Sequence, residues 1–124
     1  MLIFVLLATI FTANDLKQQC SSKEPLKQIW CLGYLKGVSD GVMFATAVSP
    51  RALQAEVSGR AAEAEMISSR DLHAALGCVS EEVTMEQIRL VFLKYVENHP
   101  EELHLPAAEV LSKAMRFAFR CPAG

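Results

Sequence analysis

The residues with most chemistry in this chain are four cysteines, Cys20, Cys31, Cys78 and Cys121. Thiols of this kind serve as metal ligands, as nucleophiles or as halves of cystines. A zinc site pairs cysteines two to four residues apart, and no two of these are so spaced. A catalytic thiol or hydroxyl must be free and activated beside a histidine. The three histidines, His73, His99 and His104, fall in no recognised catalytic pattern. An even number of cysteines in a small domain reads, if the protein is exported, as a disulfide framework, for which sequence alone allows three connectivities. With all four thiols paired, none remains as a nucleophile.

The carboxylate pairs Glu81-Glu82 and Glu101-Glu102 are adjacent in sequence, so their side chains diverge; they read as helix-entry charges. No glycine loop joins a strand to a helix, which excludes a phosphate cradle of that type. No catalytic, cofactor-binding or metal-ligating residue is expected, and neither is an enzyme.

A net charge of −2 is too small to suggest a nucleic-acid partner. The charge is unevenly spread. Residues 81–109 hold seven acids against two bases, and residues 110–124 hold only bases, Lys113, Arg116 and Arg120. Acids in first turns and bases in last turns account for this pattern. An acidic patch that steers a basic partner is the other reading.

With 124 residues the chain is long enough for one domain with one core. Hydrophobic residues make up 52%, which argues against disorder. Few aromatics and frequent alanine favour close-packed helices. Residues 1–13 carry no charge, a length that suits a secretory apolar segment and is too short to span a bilayer. They lack a basic start, and cleavage after Ala13 would put Phe11 where a small residue is preferred. The paired cysteines tip the reading towards an exported protein with residues 1–13 as a signal-peptide remnant and 14–124 as a single helical domain. The rival is an N-terminal core helix that stays attached.

Residues 14–20 suit a short helix capped by Asn14, and Ser21 to Pro25 break it. A long helix follows over 26–48, with Ile29, Trp30, Leu35, Val38, Val42 and Ala45 at helical spacing. Gly33, Gly37 and Gly41 share one face of it. Each costs roughly 0.8–1.0 kcal/mol against alanine, so the stripe implies a close helix neighbour, in the chain or in a second subunit. Asp40 is placed to pair with Lys36. Residues 49–77 have only a thin apolar stripe, Leu53 and Val57, then an alanine-rich run over 60–67 and a restart at Leu72 that Gly77 caps. This region reads as a mobile helical excursion. Thr84 and Gln87 suggest a capping box ahead of Ile88, Val91, Phe92, Tyr95 and Val96. Asn98-His99-Pro100 ends that helix, with His99 against its last carbonyls, and Pro106 opens a final one carrying Val110, Leu111, Ala114 and Met115. The fold expected is all-α, a small disulfide-braced bundle of about five helices with no sheet.

Two blocks carry a more specific signal. One runs from Cys31-Leu32-Gly33-Tyr34 to Asp40-Gly41. The other joins Cys78-Val79-Ser80-Glu81-Glu82-Val83-Thr84, Tyr95-Val96-Glu97-Asn98-His99-Pro100, Leu105-Pro106-Ala107-Ala108 and Ala118-Phe119-Arg120-Cys121-Pro122. Together, over roughly residues 16–45 and 76–122, they resemble the bacterial type VI secretion amidase-immunity family, the Tai and Rap resistance proteins. The resemblance implies a periplasmic helical protein that sterically inhibits a peptidoglycan-cutting amidase and acts as a homodimer. With the helix layout, it implies Cys20–Cys31 and Cys78–Cys121 cystines, worth roughly 3 and 4 kcal/mol by loop length. Candidate contacts with the effector are the loop Val79, Ser80, Glu81 and Glu82 and the excursion from Pro50 to Arg60. The alternative of a different class is a periplasmic disulfide-braced helical chaperone or lipid-binding module, which would rely on exposed apolar surface.

Overall fold

The computed structural model describes residues 10–123. Six α-helices are present among them, α1 (Ala13–Cys20), α2 (Pro25–Ala47), α3 (Pro50–Val57), α4 (Ala61–Leu76), α5 (Met85–Asn98) and α6 (Ala107–Ala118), with a 3-10 turn at Pro100–Glu102. No strand occurs among the described residues; the only ladder fragment is an isolated bridge between Thr12 and Pro106. The all-α expectation holds, with one helix more than the five read from the sequence.

The first helix is capped by Thr12 rather than Asn14. Asp15 donates its backbone N–H to the Thr12 hydroxyl at 3.2 Å, while the Asp15 carboxylate accepts the Thr12 N–H at 3.0 Å. That reciprocal pair satisfies two amides which the helix end leaves without partners. The residues around the cap belong to the packed body. Ala13 is fully buried, and the Phe11 ring lies 4.9 Å from Trp30 and 5.0 Å from Tyr34. Ala13 donates to the Leu105 carbonyl at 2.9 Å and Ala107 to that of Phe11 at 2.8 Å. Phe11 to Ala13, which the boundary drawn from the apolar run leaves outside the domain, are therefore packed with the body. Most of the signal-peptide assignment, residues 1–9, lies outside the described residues.

Leu16, Leu35, Ile88, Phe92, Leu111 and Met115 meet in one core, fed by α1, α2, α5 and α6 and by Leu76 at the end of α4. Both expected cystines are formed. Cys20–Cys31 staples α1 to α2 inside that core, and Cys78–Cys121 ties the start of the α4–α5 loop to the chain beyond α6. A second, smaller cluster of Ala52, Ala55, Ala64 and Ile67 holds α3 against α4. The excursion is thus a helical hairpin with its own contacts, and α4 runs unbroken where the sequence suggests an interruption before Leu72. Its end is secured to the body by Ser112, whose hydroxyl donates to the Ala75 carbonyl.

Gly77 ends α4 at φ +79°, a conformation that side chains other than hydrogen resist. A methyl group there would collide with the Phe119 carbonyl oxygen and lie 3.2 Å from that of Met115. Glycine is required for this crossing. Thr84 caps α5 by accepting the Gln87 N–H at 3.1 Å, the one half of the expected capping box that is present.

Candidate functional site

The loop from Gly77 to Thr84 is fixed at both ends and open in the middle. At its start, Cys78 donates its N–H to the Phe119 carbonyl at 2.8 Å and shares the cystine with Cys121. Val79, Val83 and Met85 pack on the core, so the loop cannot lift as a whole. The Val83 N–H reaches the Ser80 carbonyl at 3.1 Å and closes a tight turn. That turn pushes Ser80, Glu81 and Glu82 into solvent. Of the four contact candidates, these three form an exposed acidic tip, and Val79 is its half-buried anchor.

Beside the tip lies a groove of about 470 Å³ between α2, the end of α4 and this loop. Its floor is apolar, with Leu76, Ile88 and Met115 at depth. Its rim is polar, with Lys36 and Asp40 on one side and Glu81 on the other. Lys36 and Asp40 form the expected ion pair at 2.9 Å, with more than half of each side chain exposed. Such a pair contributes little to stability and is free to exchange partners. An apolar floor with a few charges at its edge is suited to one protruding side chain of a protein partner. No local pattern in the sequence signals this groove, because Lys36, Leu76 and Met115 meet only in the fold. The acids of its tip are legible from the loop.

The other expected contact segment, Pro50 to Arg60, is mostly helix. Ser49 caps α3 through the Ala52 N–H, Ala52 and Ala55 are buried, and only Ser58 to Arg60 form a turn. It is not a projecting loop.

The glycine stripe on α2 meets no neighbour among the described residues. Gly33, Gly37 and Gly41 are exposed, and a Cβ at any of them would find no atom within 4 Å. Among the described residues no helix crosses there, so the close neighbour expected of the stripe is not found among them. The main core takes the opposite side of α2, through Cys31 and Leu35. The same open face carries Leu26 (81% exposed), Trp30 and Phe44 (69% exposed) at either end of the stripe.

The Tyr95-x-x-x-His99-Pro100-Glu101 segment is a buttress. The Tyr95 hydroxyl donates to Glu102 at 2.7 Å, and Lys113 of α6 donates to the same carboxylate at 2.9 Å. His99 stacks on the Tyr95 ring at 4.1 Å, and its Nδ1 contacts the Tyr95 carbonyl at 2.8 Å, the helix-end role expected of it. Burial, reinforced by the Glu102 bond and charge, pushes the Tyr95 hydroxyl up to about 12. The Tyr95 bond and then Lys113 hold Glu102 below the ordinary carboxylate range. His99, Glu101 and Glu102 bring three possible metal-ligand atoms within 4.8 Å of one another. Both Glu102 oxygens are already engaged, however, and a cation there would stand against Lys113. The cluster's chemistry is that of a clamp between α5 and α6.

Residues 12–121 match the family of Rap1a immunity proteins. No curated protein and no solved structure matches the chain.

Proposed function

The chain belongs to the Rap1a immunity protein family, and from that premise we propose that it binds and sterically inhibits a type VI secretion amidase that degrades peptidoglycan. Immunity proteins act by binding a cognate effector protein, so function resides in a contact surface. The observation that carries the choice of surface is the anchored acidic turn Ser80-Glu81-Glu82 at the mouth of an apolar groove. A rigidly held tip enters a substrate cleft without first losing conformational freedom, which favours affinity. Glu81 and Glu82 would meet a basic rim on the amidase, and the groove would receive an apolar side chain beside it.

The site of action we propose is the periplasm. Two formed cystines support an oxidising compartment, and no helix among the described residues is long and apolar enough to cross a membrane. The working unit we propose is a homodimer that uses the open face of α2, where the glycines would let a second copy approach closely between Leu26 and Phe44.

The test is co-purification with the product of the neighbouring gene, followed by a peptidoglycan digestion assay. The expected result is a stable complex, loss of amidase activity and no turnover by this chain. Failure to bind or inhibit any of several type VI amidases would overturn the proposal. It would leave the exposed apolar face of α2 to the chaperone or lipid-binding reading.

A further inference from the structure

The two cystines sit in opposite surroundings. Cys20 and Cys31 are both fully buried among core residues. Cys78 is half-buried and Cys121 exposed, and both line an open surface hollow with Glu65, Met66, Arg70 and His73 of α4. A His73 ring nitrogen and both sulfurs lie within 4.8 Å of one another. We infer that Cys78–Cys121 is a thiol–disulfide exchange site for a dithiol reductant, with His73 stabilising the departing thiolate, while Cys20–Cys31 is a closed structural bond.

Exchange requires an attacking thiolate to reach a sulfur, and it quickens when the leaving sulfur is stabilised as an anion. Access distinguishes the two bonds. Attack on Cys20 or Cys31 requires the core between α1 and α2 to open first, an event close to global unfolding. Attack on Cys78–Cys121 requires no opening, because the chain from Arg120 to Ala123 is exposed and irregular. Leaving-group stabilisation comes from His73, whose imidazole can donate to a sulfur anion or, when protonated, balance its charge.

The first thiolate of the dithiol bonds to one sulfur of the cystine, and the S–S bond breaks with its electron pair on the other sulfur. The second thiol of the reductant then displaces the protein from the mixed disulfide. The reductant is oxidised to its own disulfide, and Cys78 and Cys121 receive its two protons as thiols. The crossing at Gly77 survives this step, since the Cys78 N–H remains bonded to the Phe119 carbonyl. Only the segment after Phe119 is released at first.

The experiment treats the full oxidised protein, in native buffer, with limiting dithiothreitol and separately with reduced glutathione. Samples are pulse-alkylated and peptide-mapped while helicity is followed by far-UV circular dichroism. Cys78 and Cys121 should be labelled at least about tenfold faster than Cys20 and Cys31, before helicity changes. His73→Ala should slow that first phase several-fold without moving the melting temperature of the oxidised protein, and His73→Lys, which places an ammonium donor beside the sulfurs, should restore it. Labelling of all four cysteines in step with loss of helicity would overturn the inference. An unchanged rate in His73→Ala would overturn the part assigned to His73.

Discussion

The cystine-braced body and the α3–α4 hairpin are both helical, yet they are held by different means. In the body, Phe92, Leu16, Leu35, Ile88 and Leu111 are buried to 2% exposure or less, and both cystines lie there. Each such side chain contributes roughly 1.5–3 kcal/mol by leaving water. The hairpin's own cluster has three alanines and Ile67, and only the end of α4, through Leu76, enters the body's core; Val57 is 84% and Met66 62% exposed. Alanine has the best helix propensity and the least area to bury, so the hairpin's helices form readily and are held weakly. Stability is concentrated in one region, and the other can change sequence with little loss to the fold.

The largest expected effect tests that asymmetry. Phe92→Ala should cost roughly 3–5 kcal/mol, whereas Ile67→Ala, at the edge of a small cluster, should fall near or below the roughly 2 kcal/mol end of the usual range. Urea denaturation of the two variants decides it. Equal losses would mean that hairpin and body share one core, and the comparison would fail.

The next effect lies at the joint between the regions. Gly77→Ala must hold a positive φ and push against the Phe119 carbonyl, so a loss of roughly 2–3 kcal/mol is expected. Because the strain sits where α4 meets α6, the same variant should raise hydrogen exchange in α4 more than in α5. Protection lost equally across both helices would show that the hairpin has no independence from the body.

The body is far more legible in the sequence than the hairpin, for a physical reason. Ile88, Phe92 and Val96 on α5, and Val110, Leu111 and Met115 on α6, recur at helical spacing and are large, so their buried face can be read directly. In the hairpin the buried residues are mostly alanines, and alanine carries no sign of which face is inward. Hence the run from Arg60 to Ile67 indicates a helix without a direction. Thr12 and Asp15 do carry a local capping signal, masked by the apolar run before them, which reads as a leader. The glycines of α2 read as packed because helix propensity penalises them, but propensity does not say where the neighbour is. The acidic tip is visible in the loop; the groove beside it depends on contacts between distant segments, which no local pattern encodes.

A smaller effect concerns the clamp that stiffens the body between α5 and α6. Tyr95→Phe removes the donor to Glu102, whose side chain is only 14% exposed, and should cost about 1–2 kcal/mol near neutral pH. The pH dependence has a definite sign. Tyr95 is raised to about 12, so its contribution is complete below the ordinary tyrosine value of 10.0 and is lost as pH climbs to about 12. Glu102 is lowered from 4.5, so its contribution is present above that value and disappears as pH falls below it. In Tyr95→Phe both slopes should flatten, the acid one only in part because Lys113 still holds Glu102. Chemical denaturation at about pH 3, 7 and 11 checks this; unchanged slopes would remove the clamp from the account of what stabilises the body.

The smallest effect on stability is expected on α2, the helix that serves both regions and leaves one face open. A Cβ placed at Gly37 would have no described atom within 4 Å, so Gly37→Leu meets no steric obstacle among the described residues. Leucine is a better helix former than glycine by somewhat under 1 kcal/mol, so the monomer should gain about 0.5 kcal/mol. In a homodimer built on this face, the same leucine would fill the space that lets two backbones approach, and association should weaken by at least about tenfold. Thermal melting at low concentration and sedimentation equilibrium separate the two results. A destabilised monomer would show that the face is covered within the chain. An unchanged dimer would place self-association elsewhere and free α2, with Leu26 and Phe44 exposed along it, for the effector itself.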